Sequence, residues 1–313
     1  MNRKIQFDTP VAFLIFNRPD NTRKVFEAIR ERKPATLLVV ADGPRPGKPE
    51  EKERCRQTRA IIDQGVDWDC KVLKAYSEVN LGCRNRISSG LNWVFGEVEE
   101  AIILEDDCLP DPSFFPYCRA MLERYRNDSR IFSIAGTNFV PEETSPTYSY
   151  HFSRFANIWG WASWRRVWQG FYDVEMASWP TTKEAFLRSI DGDVRYRLYW
   201  EYILDRTFTG KIDTWDYQFF YACMAQHGLN AIPSVNLVTN IGFQGDATHT
   251  TTVNRFAEMP RSHLDPDLRH PPFALPDRDA DRRLQAASFH LGFKGFVKHG
   301  GMKLLDSIFK GKS

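Results

Sequence analysis

The 313-residue chain has little that would staple, anchor or polarise it. Its cysteines (Cys55, Cys70, Cys83, Cys108, Cys118 and Cys223) show no paired metal spacing. A chain this long needs no disulfide scaffold either, so they read as reduced, mostly buried thiols. Long apolar runs are missing: residues 11–16 form a stretch far short of a membrane span. The opening MNRKIQFDTP lacks the apolar centre of a signal peptide, so a cytoplasmic location is expected. Charge of one sign is absent as well, because 42 Lys and Arg face 40 Asp and Glu for a net +2. That balance argues against a nucleic-acid partner. No internal repeat is present. Tryptophan is what the chain has in plenty, with five of nine from Trp159 to Trp179. Flat indole rings serve carbohydrate binding and core filling alike.

Short apolar runs alternate with helical patterns in the first half. Strands are predicted at 11–16, 37–41, 72–76, 101–104 and 131–135. Helices are predicted at 21–30, 50–62, 85–95 and 112–126. This rhythm implies βαβ crossovers and a mostly parallel sheet with helices on both faces. Functional groups in such sheets gather beyond the carboxyl ends of the strands. Those ends carry Asn17-Arg18-Pro19-Asp20, Asp42-Gly43-Pro44, Asn80-Leu81-Gly82 and Glu105-Asp106-Asp107. Further helices are expected at 194–207 and 216–227, and a strand and loop at 232–240.

The acid triplet is the strongest motif. An apolar strand that ends in Glu105-Asp106-Asp107 places its carboxylates at the sheet edge, in solvent or around a hard divalent cation. Asp42 precedes Gly-Pro, so it serves either a turn or a ligand. Arg18 pairs with a nearby carboxylate or with phosphate or base. Gly82 and Arg86 stand where a helix begins, beside N–H groups suited to a pyrophosphate. Asp216 reads either as a functional carboxylate or as an ordinary first-turn aspartate, with Asp213 as its rival. His249 and Asp246 lie on a Gly-rich stretch and are candidates for a late metal ligand.

These motifs together resemble GT-A glycosyltransferases related to the Golgi N-acetylglucosaminyltransferases acting on N-linked and O-mannosyl glycans. They also resemble bacterial cytoplasmic proteins encoded in polysaccharide gene clusters. The resemblance spans roughly residues 10–245. It rests on Asn17-Arg18-Pro19, Val39 to Gly43, Ile103 to Asp107 with Phe114-Phe115-Pro116-Tyr117, Trp159 to Trp164, and Trp215-Asp216. Asn80-Leu81-Gly82 departs from the Golgi enzymes and is closer to the Asn-x-Gly segment of bacterial family-two glycosyltransferases. The resemblance implies a GT-A α/β fold with a mostly parallel central sheet, and a UDP-sugar donor. It implies Asp42 on uracil, and Mn²⁺ or Mg²⁺ on Asp107, with His249 as a further ligand. Glu105 and Asp106 would support the cation or contact the ribose, alongside Arg18, Gly82 and Arg86. Asp216 would be the base of an inverting single displacement onto a glycan or lipid-linked acceptor hydroxyl, and Trp215 would shield a sugar face. N-acetylglucosamine is the sugar expected.

Residues 1–257 are expected to form this domain, 258–285 a surface linker rich in Pro, Asp and Arg, and 286–313 a basic amphipathic helix. Five lysines from Lys294 to Lys312 face Asp306 alone, and Leu304, Leu305, Ile308 and Phe309 share one face. Such a helix docks on an anionic membrane surface, placing the protein at the inner face, or on its own domain. A nucleotidyltransferase and a non-catalytic sugar-binding protein are the rival readings.

Overall fold

The computed structural model describes residues 7–141, 147–190, 194–243, 256 and 258–289. Strands β1 (Val11–Ile15), β2 (Thr36–Ala41), β3 (Lys71–Tyr76) and β4 (Glu100–Glu105) alternate with helices α1 (Pro19–Arg32), α2 (Pro49–Gly65) and α3 (Gly82–Glu97). β1 is buried throughout and β2 almost so, as expected of parallel strands covered on both faces. α1 opens on Pro19, whose fixed φ suits a first helical turn, and closes on Lys33 in the left-handed conformation.

The chain continues through β5 (Cys108–Pro110), α4 (Phe114–Tyr125), β6 (Ile131–Ala135), β7 (Tyr150–Ser153), β8 (Trp161–Trp164) and α5 (Arg165–Phe171). Then come α6 (Trp179–Ser189), α7 (Val194–Phe208), α8 (Asp216–Ala225), β9 (Leu229–Pro233), β10 (Val238–Asn240) and α9 (Arg278–Ser288). Eight strands form one sheet in the order β3-β2-β1-β4-β8-β6-β9-β7. β8 runs antiparallel between β4 and β6, and β7 antiparallel at the edge; the other pairings are parallel. The protein is therefore a mixed α/β fold around a large, mostly parallel sheet. The carboxyl ends of β1, β2, β3 and β4 lie along one edge.

A separate ribbon pairs β5 with β10, Asn240 opposite Cys108. It brings a segment from late in the chain directly beside the acid triplet.

Most of the tryptophan-rich segment is core, with Trp159 half-buried. Trp161, Trp164, Trp168 and Trp179 are all buried, and so is Trp215, at 3% exposure. Trp215 stacks on Trp161 with centroids 5.7 Å apart. It therefore cannot shield a sugar face, because its own ring is buried against Trp161 and Trp168. A second apolar cluster joins α6, α7 and α8 through Trp179, Phe186, Trp200, Leu204 and Phe220.

α9 begins inside the stretch read as linker. Asp277 caps it, accepting hydrogen bonds from Asp279 N (3.1 Å) and Ala280 N (2.9 Å). The buried Asp281 accepts from Ser153 Oγ (2.5 Å) and Arg154 N (3.3 Å) on and just after β7. Leu284 and Phe289 complete the second cluster. Residues 278–289 thus pack on the body. The rest of the basic tail, from residue 290, lies outside the described residues. Among those described, no helix is long and apolar enough to cross a membrane.

Candidate active site

β1 and β4 are neighbours, so the turn after one meets the turn after the other. Phe16 N donates to Asp106 Oδ2 (3.1 Å). Arg18 reaches back from the start of α1, and its Nη1 contacts Asp107 Oδ2 (2.7 Å) and Asp106 Oδ1 (3.5 Å). Burial, then the charges of Asp107, Asp106 and Asp216, push Glu105 up to about 8, with Arg18 opposing them. Burial first and Asp107 second push Asp106 up to about 7. Burial and mutual repulsion thus favour the protonated forms of Glu105 and Asp106, and Arg18 opposes them only in part.

Gly242 closes this site from the other side. Ile241 N donates to Asp107 O (2.8 Å), and a Cβ on Gly242 would stand 2.3 Å from Asp107 Oδ2. Only glycine lets the backbone approach the carboxylate so closely. Phe243 then packs on Trp159, with centroids 5.7 Å apart. Nothing in the sequence pattern marked this approach, since it depends on the pairing of β5 with β10. Asp246 and His249, the expected late ligands, lie outside the described residues.

Asp216 opens α8, where its Oδ1 accepts from Tyr217 N (2.8 Å) and from Thr214 Oγ1. Its charge helps hold the proton on Glu105, which places the two carboxyls in one electrostatic neighbourhood. Tyr172, beneath it, exchanges a hydrogen bond with Ser88 Oγ (2.7 Å) and donates to Trp215 O (3.3 Å). The sequence had not singled out this Tyr172–Ser88 support.

Asp42, Gly82 and Arg86, the expected donor-binding residues, make contacts within the chain. Asp42 Oδ1 accepts from Gly43 N (2.9 Å) and Leu81 N (3.0 Å), and Oδ2 from Asn80 Nδ2 (3.0 Å). This clamp draws the β2 and β3 ends so close that a Cβ on Gly43 would lie 2.5 Å from Val79 C. Asp42 is buried, and desolvation raises its pKa despite those hydrogen bonds. Gly82, at φ +78°, starts α3, but Cys83 N (3.2 Å) and Arg84 N (3.0 Å) donate to Asp213. The protein's own carboxylate therefore sits where a pyrophosphate was expected. Arg86 donates to Ala75 O.

Asp213 is thus a helix cap supplied from far along the chain. Asp213→Ala should cost about 0.5–2 kcal/mol of stability, the usual worth of an N-cap. Urea denaturation measures this, and Asp213→Asn, which keeps one oxygen, should lose less.

The residues suit a hard divalent cation in chemistry and charge: consecutive carboxylates, two of them with raised pKa values. Among the described residues no three acids, histidines or cysteines converge on one point. A cation held here would draw its remaining ligands from substrate phosphates and water, as Mg²⁺ commonly does. Two surface cavities, of about 240 and 340 Å³, lie elsewhere, lined around His263 and around His151.

No protein-family profile matches the chain, and no curated protein matches it in sequence. Solved structures do overlap with it in part. The mannosyltransferase PcManGT from Pyrobaculum calidifontis, in complex with GDP-Man and Mn²⁺, is similar at 12% identity and TM-score 0.37, over 71% of this chain and 70% of that one. A UDP-glucose pyrophosphorylase complexed with UDP-glucose is similar at 12% identity and TM-score 0.28, over 48% and 64%. HddC from Yersinia pseudotuberculosis is similar at 9% identity and TM-score 0.31, over 53% and 81%.

Proposed function

We propose that the chain is a metal-dependent, inverting glycosyltransferase of the GT-A type that uses a nucleotide diphosphate sugar. The observation that carries this reading is the acid triplet at the end of β4, with Asp216 in its electrostatic neighbourhood and Arg18 as its close cation. The motif resemblance favours a UDP-sugar, N-acetylglucosamine as the sugar, and a glycan or lipid-linked acceptor.

Asp107, supported by Glu105 and Asp106, would hold Mn²⁺ or Mg²⁺. When bound, the cation supplies positive charge against the diphosphate leaving group. Asp216 accepts the proton of the acceptor hydroxyl as that oxygen forms its bond to the anomeric carbon. The bond from that carbon to the diphosphate oxygen breaks, and its electron pair leaves with the nucleotide. The anomeric configuration inverts. Asp42, expected on uracil, holds the Asn80-Leu81 loop at the end of β2, where the nucleotide would bind.

The nucleotidyltransferase reading is disfavoured at one point. Such enzymes need a basic Gly-rich loop after the first strand. Here only Phe16-Asn17-Arg18 separates β1 from α1. Incubation with UDP- and GDP-sugars should release free nucleoside diphosphate, slowly to water and faster with an acceptor glycan, and EDTA should stop it. Release of pyrophosphate from sugar phosphate and nucleoside triphosphate would instead establish the rival. Tight sugar binding with no turnover would leave a binding protein.

A further inference from the structure

We propose that Arg18 is a stand-in for the cation, one that makes cation and nucleotide bind together rather than separately. The inference rests on the proposed cation site and deepens it. A single guanidinium nitrogen, Arg18 Nη1, spans Asp106 Oδ1 at 3.5 Å and Asp107 Oδ2 at 2.7 Å. Both oxygens belong to carboxylates that would hold the cation. Asp107 cannot turn freely away from it. Its backbone carbonyl is held by Ile241 N at 2.8 Å, and the Gly242 chain passes so near that a Cβ there would stand 2.3 Å from Oδ2.

An ion ligated by these two carboxylates would compete with the Arg18 nitrogen for their oxygens. The cation alone therefore competes with a charge-assisted hydrogen bond already in place. A nucleoside diphosphate changes the balance, because its phosphates offer the displaced guanidinium a new anionic partner. Arg18 stands at the mouth of α1, beside the crevice formed by the strand ends, and its flexible stem permits the move. The acids then take the ion and the guanidinium takes the phosphate, so the contact Arg18 gives up is replaced. The coupling is reciprocal, since each ligand then favours the other by the same factor.

The test needs no turnover. Mn²⁺ binding is measured by electron paramagnetic resonance or calorimetry on the wild-type chain, Arg18→Gln and Arg18→Gln/Asp107→Ala, with and without UDP or GDP. Without nucleotide, Arg18→Gln should bind Mn²⁺ at least about tenfold more tightly than wild type, about 1.4 kcal/mol. The added Asp107→Ala should cancel the gain. Nucleotide should tighten Mn²⁺ binding strongly in wild type and much less in Arg18→Gln. Equal or weaker Mn²⁺ binding by Arg18→Gln would overturn the proposal, as would an undiminished nucleotide effect in that variant. A tighter Arg18→Gln site in a protein that transfers no sugar would sustain the stand-in while removing the transferase reading.

Discussion

Asp107→Ala is expected to lower sugar transfer by about a thousandfold or more, at the upper end for removing one group aimed at developing charge. The side chain is the proposed ion ligand, and it is also the close partner of Arg18 at 2.7 Å. Its loss uncouples the ion from the diphosphate and frees the guanidinium together. The fold should survive. β4 pairs through its backbone with β1 and β8, and Ile241 N bonds the backbone carbonyl of Asp107, which alanine retains. Thermal melting within a few degrees of wild type, together with loss of Mn²⁺-dependent UDP binding, is the expected pair of results. A variant that binds UDP with Mn²⁺ as tightly as the parent would remove Asp107 from the site.

Asp216→Asn should behave differently. Donor affinity should hold, while turnover falls by about two to four orders of magnitude, the usual worth of a positioned base. The amide keeps an oxygen for Tyr217 N and the helix start, so local structure is retained. Asp213 offers a control on the same loop. Both its oxygens already cap α3, so its loss should appear in stability before it appears in chemistry. If Asp213→Asn were the variant to lose turnover while Asp216→Asn kept it, the base would have been placed on the wrong aspartate. A product of retained anomeric configuration would exclude single displacement altogether.

The parallel half of the fold was legible because its signal is local. Apolar runs such as Val11 to Ile15 and Thr36 to Ala41 are buried on both faces and end in polar turns. The acid triplet was legible for the same reason, an apolar strand that ends in charge. What stayed hidden depends on tertiary partners. Asp213 reaches a helix start some 130 residues earlier, and no window of sequence contains both ends. Trp215 looked like a platform because a ring beside a carboxylate suits a sugar, yet the sheet had already claimed its face. α9 was masked by composition. Pro, Asp and Arg suggested a linker, although Ala280, Leu284 and Ala287 recur at helical spacing and are buried.

The place of β8 governs how the chain is assembled. β6 is made before β8, yet β8 lies between β4 and β6 in the sheet. As synthesis proceeds, β4 therefore presents an apolar, unpaired edge beside the acid triplet until Trp161 to Trp164 arrive to fill the slot. An exposed strand edge invites pairing with other chains. If β6 docked on β4 first, β8 would be shut out. Correct assembly therefore requires that β6 not close on β4 before β8 has taken its place between them.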